Sequence, residues 1–230
     1  QSGAAPPSKM ANPRVSVVIP TYNGAKRILK PLRALENQEF EDFEVVVVVD
    51  GSSDDTVRVI RDARPKLREL RVVEQPNLER SAARNRGARE SKGDLLVFFD
   101  DDVRPVPGCL KSHVDRQAAG ADLIVVGNQI EEEAVAVTDF EKYKARLSRQ
   151  WAATLSADGG AIGRHNLFLT GANFSVRRDL FLGLGGFDEA VSDIEDFDLA
   201  VRAFRRGVSF RYAHEAISWH DDAFTCRSMI

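Results

Sequence analysis

Cysteine is scarce in this 230-residue sequence, which contains only Cys109 and Cys226. The two residues lie far apart without metal-binding spacing, which excludes a disulfide scaffold and favours a reducing compartment. Long apolar runs are also missing. The longest, such as Val45–Val49, contain five residues, whereas a bilayer span needs about 20. The segment 1–13 is small, polar and proline-containing, without the apolar centre of a signal peptide, and we interpret it as a disordered lead or an expression remnant.

Neither sign of charge dominates the sequence. There are 32 Lys and Arg residues against 35 Asp and Glu residues, for a net charge of −3. A global basic field that could hold nucleic acid or an anionic membrane is therefore lacking. Hydrophobic residues make up 43% and charged residues 29% of the chain, an ordinary globular composition that excludes extensive disorder.

Short apolar runs alternate with segments of helical spacing in the first half of the chain. We predict strands at Val15–Pro20, Phe43–Val49, Leu70–Val73, Asp94–Phe99 and Ala121–Val126. We predict helices between them at Ala25–Glu36, Asp54–Ala63, Arg80–Ser91 and Pro107–Ala119. This alternation predicts an α/β fold with right-handed crossovers and a mostly parallel sheet.

The pattern changes after Gly127, and we find no clear linker. Glu131–Glu133 is predicted to be a solvated acidic patch, and the glycine-rich segment Ser156–Arg164 to be mobile. Further elements are predicted as helices at Asp139–Leu155, Asp179–Leu184 and Glu195–Arg206 and strands at Thr170–Val176, Val208–Tyr212 and Ala216–Trp219. The sequence thus predicts one α/β domain with an elaborated second half.

Polar and acidic residues follow the predicted strands, where open parallel sheets bind their ligands. They include Thr21, Tyr22 and Asn23 after the first strand, Asp50 after the second, and Asp100–Asp102 after the fourth. Adjacent carboxylates repel one another unless a cation or several donors lie among them, and oxygen ligands suit Mg²⁺ or Mn²⁺. Turns, helix caps and a solvated loop are the alternative interpretation of these segments.

A second acidic pair, Glu195 and Asp196, begins the last predicted helix. Ser192 and Glu195 have the spacing of a capping box, with Ser192 as the N-cap. Asp196 has no such role, and the helix dipole is expected to lower its pKa and keep it ionised as a base.

The motifs of this sequence, in their order, resemble those of family 2 glycosyltransferases. The matching segments are Val15–Gly24 (VSVVIPTYNG), Asp50–Asp54 (DGSSD), Ser81–Gly87 (SAARNRG), Phe98–Asp102 (FFDDD), Gly171–Arg177 (GANFSVR), Gly185–Glu189 (GGFDE) and Glu195–Leu199 (EDFDL). The resemblance implies a GT-A fold, a Rossmann-like and mostly parallel sheet with a smaller antiparallel portion on the acceptor side. It divides a single catalytic domain, 14–230, into a nucleotide-sugar-binding half (14–127) and an acceptor-binding half (128–230).

The reaction that the resemblance implies is a metal-dependent, inverting transfer of one sugar to an acceptor hydroxyl. A divalent cation, Mn²⁺ or Mg²⁺, neutralises the departing diphosphate while a carboxylate takes the hydroxyl proton. The QxxRW motif of processive synthases is missing from the sequence, which favours addition of a single sugar.

Roles for individual residues follow from the same resemblance. Asp196 is expected to be the base, with Glu195 orienting it or the acceptor. Contacts to the nucleotide sugar are expected from Thr21, Tyr22, Asn23, Asp50, Arg84, Asp100 and Asp101. Metal ligands are expected at Asp102 and His220, and contacts to the acceptor or sugar at Gly171, Ala172 and Asn173. For Arg84, the alternative is the solvated face of a basic helix.

The expected partners are a nucleoside diphosphate sugar, with a UDP-sugar favoured, and a carbohydrate, lipid-linked or other hydroxyl acceptor. Nucleic acid is not an expected partner. We predict a cytoplasmic location, with peripheral association at the inner face of the membrane left open. Rival hypotheses are a sugar-nucleotide-forming nucleotidyltransferase, a non-catalytic nucleotide-sugar-binding domain, and a Mg²⁺-binding signalling module.

Overall fold

The computed structural model describes residues 14–221, so the predicted lead lies outside the described residues. Its strands are β1 (Val15–Thr21), β2 (Phe43–Asp50), β3 (Leu70–Gln75), β4 (Leu95–Phe99), β5 (Val103–Pro105), β6 (Leu123–Ile130), β7 (Ala161–Ile162), β8 (Asn173–Arg177) and β9 (Ser209–His220). Its helices are α1 (Leu29–Leu35), α2 (Thr56–Ala63), α3 (Glu79–Glu90), α4 (Cys109–Gln117), α5 (Asp139–Ser156), α6 (Arg178–Gly183) and α7 (Glu195–Arg205). Short 3₁₀ helices cover Glu133–Val135 and Ala157–Gly160.

The strands of the described chain form one sheet in the order β3-β2-β1-β4-β8-β6-β9-β5, and β7 adds to β9. The first four strands in this order are parallel to one another. β8 runs antiparallel to both β4 and β6, which joins the two halves of the chain within a single sheet. The predicted mixed α/β architecture is confirmed.

Continuous burial explains why the apolar runs form central strands. All eight residues of β2 are buried, and β1 is buried throughout. Val17 and Ile19 pack into the core on one face of the sheet, while Val18 packs into the core on the other. Strands covered on both faces have no polar side, which is why their sequences do not alternate.

The predicted strands at 208–212 and 216–219 form one strand, β9. Its pairing with β6 shifts register, because Gly127 lies opposite Ala213 but Asn128 lies opposite Ile217. The intervening residues bulge out of the ladder, and this bulge accounts for the break in the sequence pattern. The segment predicted to be mobile contains a 3₁₀ helix and β7.

Helix α3 lies close against the sheet although its sequence is strongly polar. A Cβ atom at Gly87 would come within 2.3 Å of Val18 Cγ1, so the helix packs against β1 only because this position has no side chain. Seven of its residues are buried, including Arg84 and Asn85. The interpretation of Arg84 as part of a solvated face is therefore wrong.

A buried histidine connects α4 with the antiparallel part of the sheet. His113 is fully buried, its Nδ1 lies 3.0 Å from Ser175 Oγ, and its Nε2 lies 2.8 Å from Asn173 Oδ1. The Asn173 amide in turn donates to Ala216 O and Ser218 Oγ, both at 2.9 Å. Burial lowers the pKa of His113 to about 4, so the native fold holds it neutral.

Replacing His113 with Gln is expected to remove one acid-sensitive contribution to stability. An unfolded chain binds the proton at a pKa of 6.5 and the folded chain only at about 4. The wild type therefore loses up to about 3 kcal/mol of unfolding free energy as the pH falls across this window. Urea titrations at several pH values should show that the advantage of wild type over H113Q shrinks towards acid. His214→Gln, at a side chain 64% exposed, is the matched control.

Candidate active site

A cavity of about 570 Å³ opens at the carboxyl ends of β1, β2 and β4. Seven of the residues predicted from the sequence line it: Thr21, Tyr22, Asp50, Asp100, Asp101, Asp102 and His220. Arg27, Asn77 and Arg80 line it as well, although no role was predicted for them. The strand-end residues of both halves of the chain therefore meet in one place.

The Asp101 carboxylate is held on the β1 side of the cavity. Thr21 Oγ1 donates to Asp101 Oδ2 at 2.5 Å, and Arg27 donates from Nε and Nη2 to the two carboxylate oxygens, both at 3.1 Å. Gly24 makes room for this arrangement, because a Cβ atom there would lie 2.0 Å from Thr21 Oγ1 and 2.6 Å from Asp101 Oδ2. Asp101 is thus neutralised by Arg27.

Asn23 ties the loop after β1 to the loop after β2. Its side-chain oxygen accepts from the backbone N–H groups of Ser53 and Asp54, at 2.8 and 3.3 Å. Its own backbone N–H donates to Ser52 Oγ at 2.9 Å, and it adopts a φ of 47°. Asn is one of the few residues that tolerate this left-handed conformation, so Asn23 fixes the rim of the cavity through backbone contacts.

Asp50 is fixed at the end of β2. Its Oδ1 accepts from Gln75 Nε2 at 2.7 Å and from the backbone N–H of Leu78 at 2.9 Å. The chain turns directly afterwards at Gly51, where φ is 68° and a Cβ atom would lie 2.4 Å from Asn77 N. Asp50 therefore faces the cavity in a set orientation.

Arg84 joins the cavity to helix α7. Its side chain is 1% exposed, and it donates from Nη2 to Asp100 Oδ1 at 2.6 Å and from Nη1 to Glu195 Oε1 at 2.8 Å. The guanidinium carbon also lies 5.3 Å from the centre of the Phe187 ring. A buried cation shared between two carboxylates compensates charge that would otherwise be costly to bury.

Gly171 lies directly beside the Arg84 guanidinium. A Cβ atom at this position would approach the guanidinium carbon to 2.6 Å. The backbone N–H of Gly171 points towards Asp196 Oδ2, at 3.3 Å. Gly171 and Ala172 therefore lie near the α7 carboxylates. Asn173 does not, because its side chain is fully buried in the His113 network.

Asp196 lies at the first turn of α7, beside Glu195. Its Oδ1 accepts from its neighbour Phe197 N at 2.7 Å. Burial raises the pKa of Asp196 above its ordinary value, and the charge of Glu195 acts in the same direction. The expectation of a lowered pKa is wrong, because removal from water outweighs the hydrogen bonds from Phe197 and Gly171. A raised pKa makes this carboxylate a stronger base.

The predicted capping box at α7 is also wrong. The N-cap residue is Ile194, without a side-chain capping bond, and the helix begins at Glu195. Glu195 is 5% exposed and binds Arg84 instead of reaching back to Ser192. The buried charge of Arg84 accounts for this choice of partner.

His220 brings β9 to the cavity opposite Asp102. Its Nε2 lies 3.8 Å from Asp102 Oδ2, and its Nδ1 lies 4.0 Å from Glu131 Oε1. The nearby His220 lowers the pKa of Glu131 to about 2, with Ser148 and Lys144 acting in the same direction. A carboxylate behind one nitrogen of a histidine is the arrangement that orients metal-binding imidazoles. Glu131 was predicted to be solvated, and its acidic neighbours in sequence gave no signal of this contact.

The donor set at Asp102 and His220 fits a divalent cation that also binds phosphate. Asp100 is bound to Arg84 and Asp101 to Arg27, which leaves Asp102 as the aspartate facing the imidazole. Within residues 14–221, no group of three or more His, Cys, Asp or Glu side chains is arranged to hold a metal ion. Mg²⁺ is commonly held by one or two protein ligands, and substrate phosphates supply further oxygens.

The sequence model described as Glycosyl transferase family 2 matches residues 16–184. Among curated proteins, the chain is 31% identical over 212 residues to glycosyltransferase AglE of Haloferax volcanii. The alignment covers 90% of this chain and 67% of that protein.

Two solved structures share the fold. TarS 1–349 of S. aureus in complex with UDP-GlcNAc aligns with a TM-score of 0.71 and 22% identity, covering 92% of this chain and 59% of that chain. The mannosyltransferase PcManGT of Pyrobaculum calidifontis, in complex with GDP-Man and Mn²⁺, aligns with a TM-score of 0.69 and 23% identity, covering 92% and 58%. The chain thus spans less than two thirds of either structure.

Substitution of Arg84 by Ala is expected to destabilise the fold strongly. It leaves the buried Glu195 carboxylate without its cation, and removing one partner of a buried pair costs about 3 kcal/mol or more. Urea unfolding of R84A should show this loss. Arg86→Ala is the control, since Arg86 on the same helix forms an exposed pair with Glu90, worth about 0.5 kcal/mol. A loss of less than about 1 kcal/mol in R84A would contradict a central role for the bridge.

Proposed function

The chain belongs to glycosyl transferase family 2, and from that premise we propose that it transfers one sugar from a nucleoside diphosphate sugar to an acceptor hydroxyl. The donor is a UDP-sugar, and the transfer inverts the configuration at the anomeric carbon. The supporting observation is the continuous set of contacts from Asp100 in the cavity through Arg84 to Glu195, the neighbour of Asp196. These contacts hold the donor cavity and the base in one rigid arrangement.

The donor occupies the strand-end cavity. Tyr22, 49% exposed at the rim, offers an aromatic face to the nucleotide base. Asp50 and Asp100 supply carboxylate oxygens that accept hydrogen bonds from the base and the ribose hydroxyls. Arg80 also lines the cavity, so its positive charge can face the diphosphate. Its Nη1 lies 3.8 Å from Glu195 Oε1.

Asp102 and His220 would hold a divalent cation, Mn²⁺ or Mg²⁺, which would supply positive charge to the leaving diphosphate. Glu131 lies behind His220, with its Oε1 4.0 Å from Nδ1, while Nε2 lies on the side of Asp102.

Asp196 accepts the proton of the attacking acceptor hydroxyl. Its raised pKa favours proton uptake as the new glycosidic bond forms. Glu195 is a positioning residue, since Arg84 engages its carboxylate and it is buried. The N–H of Gly171 helps to orient Asp196. The attack is in line with the departing diphosphate and therefore inverts the anomeric centre.

The acceptor is a hydroxyl of a carbohydrate, a lipid-linked carrier or another molecule, bound by the second half of the chain. The acceptor hydroxyl lies next to Asp196, because this carboxylate must contact the hydroxyl to accept its proton. No helix in the described part of the chain is long and apolar enough to span a bilayer.

Asp196→Asn is expected to reduce turnover at least about a thousandfold while donor binding persists, because the amide cannot accept the proton. Sugar transfer from UDP-sugars is measured as UDP release, and donor binding by calorimetry. Asp198→Asn is the matched control, since Asp198 lies in the same helical turn but forms a salt bridge with Arg202 at 2.7 Å.

Near-normal turnover in D196N would overturn the assignment of the base. In the wild type, turnover should fall towards acid with a midpoint above 3.8, the ordinary pKa of an aspartate, since the base must be ionised and burial raises its pKa. Release of pyrophosphate from a nucleoside triphosphate and a sugar phosphate would favour nucleotidyl transfer instead. Donor binding without any transfer would favour a non-catalytic binding domain.

Removal of divalent cations with EDTA is expected to abolish transfer and weaken UDP binding, and Mn²⁺ should restore both. A thermal-shift titration with UDP checks the binding, because saturation at a hundredfold excess over Kd adds about 2.7 kcal/mol of stability. Asp102→Ala should lose the Mn²⁺-dependent part of the shift. Asp55→Ala, on an exposed carboxylate paired with Arg58, is the control. An unchanged shift after EDTA would exclude the metal role.

A further inference from the structure

Arg104 binds two acidic residues directly behind the proposed cation site. It lies on β5, and its Nε and Nη2 donate to the two carboxylate oxygens of Asp221, at 2.8 and 2.9 Å. Its Nη2 also donates to Glu132 Oε2 at 2.6 Å. We call these three contacts the Arg104 clamp. Two parallel N–H groups on one carboxylate fix the orientation of the carboxylate as well as balancing its charge.

The clamp joins the three chain segments that carry the cation site and its surroundings. Asp221 directly follows His220, and Glu132 directly follows Glu131. The arginine itself comes two residues after Asp102. One guanidinium therefore ties together the ends of β6 and β9 and the beginning of β5.

Backbone contacts connect the same segments but are few. Val103 lies opposite His220 in the pairing of β5 with β9, and the backbone N–H of Asp221 donates to Asp102 O at 2.8 Å. Strand β5 has three residues and lies at the edge of the sheet. So short a strand makes few ladder hydrogen bonds, and its position relative to β9 depends on side-chain contacts as well.

The charge of Arg104 does not account for its place behind a cation site. A guanidinium is not a metal ligand, and its positive charge opposes the binding of a cation nearby. The side chain of Arg104 is 31% exposed and that of Asp221 is 13% exposed, so water screens their contact only in part. The contacts that Arg104 makes with the chain are therefore the better explanation of its place.

We propose that Arg104 is a positioning residue that keeps Asp102 and His220 at the separation that one divalent cation needs. Asp102 Oδ2 and His220 Nε2 lie 3.8 Å apart. Two bonds of about 2.1 Å to Mg²⁺ span at most about 4.2 Å, so a shift of about 0.5 Å between the two segments would keep one ion from contacting both residues. The inference rests on the proposed function, which takes these two residues as the cation site.

Calorimetric titration with UDP tests the proposal without any sugar transfer. The 230-residue chain is titrated once with Mn²⁺ present and once with EDTA, and the ratio of the Kd in EDTA to the Kd in Mn²⁺ measures the contribution of the cation. In R104A we expect this ratio to fall at least about tenfold, or to one, as is typical when a residue behind a metal ligand is removed. The Kd for UDP in EDTA should stay unchanged.

Two further variants separate geometry from charge. R104K keeps the positive charge but cannot bind Asp221 through two parallel N–H groups, so its ratio should stay closer to that of R104A than to wild type. Asp221→Asn should also lower the ratio. R104A removes a positive charge and D221N a negative one, so the same effect from both would identify geometry as the cause.

A double variant and a matched control complete the experiment. R104A/D221N should lower the ratio no further than R104A, because both changes break the same contact. Arg116→Ala is the control, since Arg116 ties α4 to Glu215 of β9 at 2.6 Å and is 37% exposed, and neither residue lines the cavity. Its ratio should match that of the wild type.

Four outcomes would overturn the proposal. If the wild type shows a cation effect, an unchanged or larger ratio in R104A contradicts the inference and leaves the proposed function standing. Equal weakening of UDP binding in Mn²⁺ and in EDTA would assign Arg104 a role in stability alone. Opposite effects of R104A and D221N would assign its role to charge. A wild type without any cation effect would remove the metal role from the proposed function and the inference with it.

The test remains decisive if R104A does not fold. R104K retains the charge and much of the side-chain volume, and D221N leaves the arginine in place with its contact to Glu132. Wild-type ratios in both R104K and D221N would then contradict the proposal.

Discussion

The buried guanidinium of Arg84 is the interaction on which the site depends. It is a cation without access to water, and it persists because Asp100 and Glu195 each accept one of its N–H groups. Those two carboxylates belong to different halves of the chain. Their attraction to one cation therefore fixes the beginning of α7 relative to the end of β4. Glycine at position 171 and the close approach of α3 to β1 provide the space.

The salt bridges of Arg84 with Asp100 and Glu195 give neighbouring acidic residues different roles. Asp100 is bound to Arg84 and Asp101 to Arg27, while Asp102 faces His220. Repulsion among three adjacent carboxylates is thus relieved by a different partner for each. At the start of α7, Glu195 binds Arg84, whereas Asp196 accepts hydrogen bonds from backbone N–H groups and has a raised pKa. Two acids that are adjacent in sequence therefore acquire distinct chemical properties.

Helix α5 extends this arrangement to the surface. Its residues Lys144 and Ser148 help to lower the pKa of Glu131, which lies beside His220. On the outer side of the same helix, Tyr143, Leu147 and Trp151 are exposed.

The order of strands and helices could be predicted from the sequence. Continuous β-branched runs such as β2 favour strands that are buried on both faces, and such runs are easy to recognise. The cluster at the strand ends could also be predicted, because parallel strands bring their carboxyl ends to one edge of the sheet. The short strand β5, which contains Pro105, could not, because proline gives a poor strand signal and fits here only at the edge of the sheet. The contacts of Arg27 with Asp101 and of Arg84 with Glu195 span 74 and 111 positions, beyond the reach of any local pattern.

The sequence by itself determined the kinds of side chain that meet at the cavity and the elements that carry them. Only the tertiary structure decided which carboxylate pairs with which cation, and hence which acid is available as a base or as a metal ligand. The physical reason is that a charge interaction depends on the distance between two groups and on the water around them. Both quantities are set by packing between remote segments, as the burial of Arg84, Glu195 and Asp196 demonstrates.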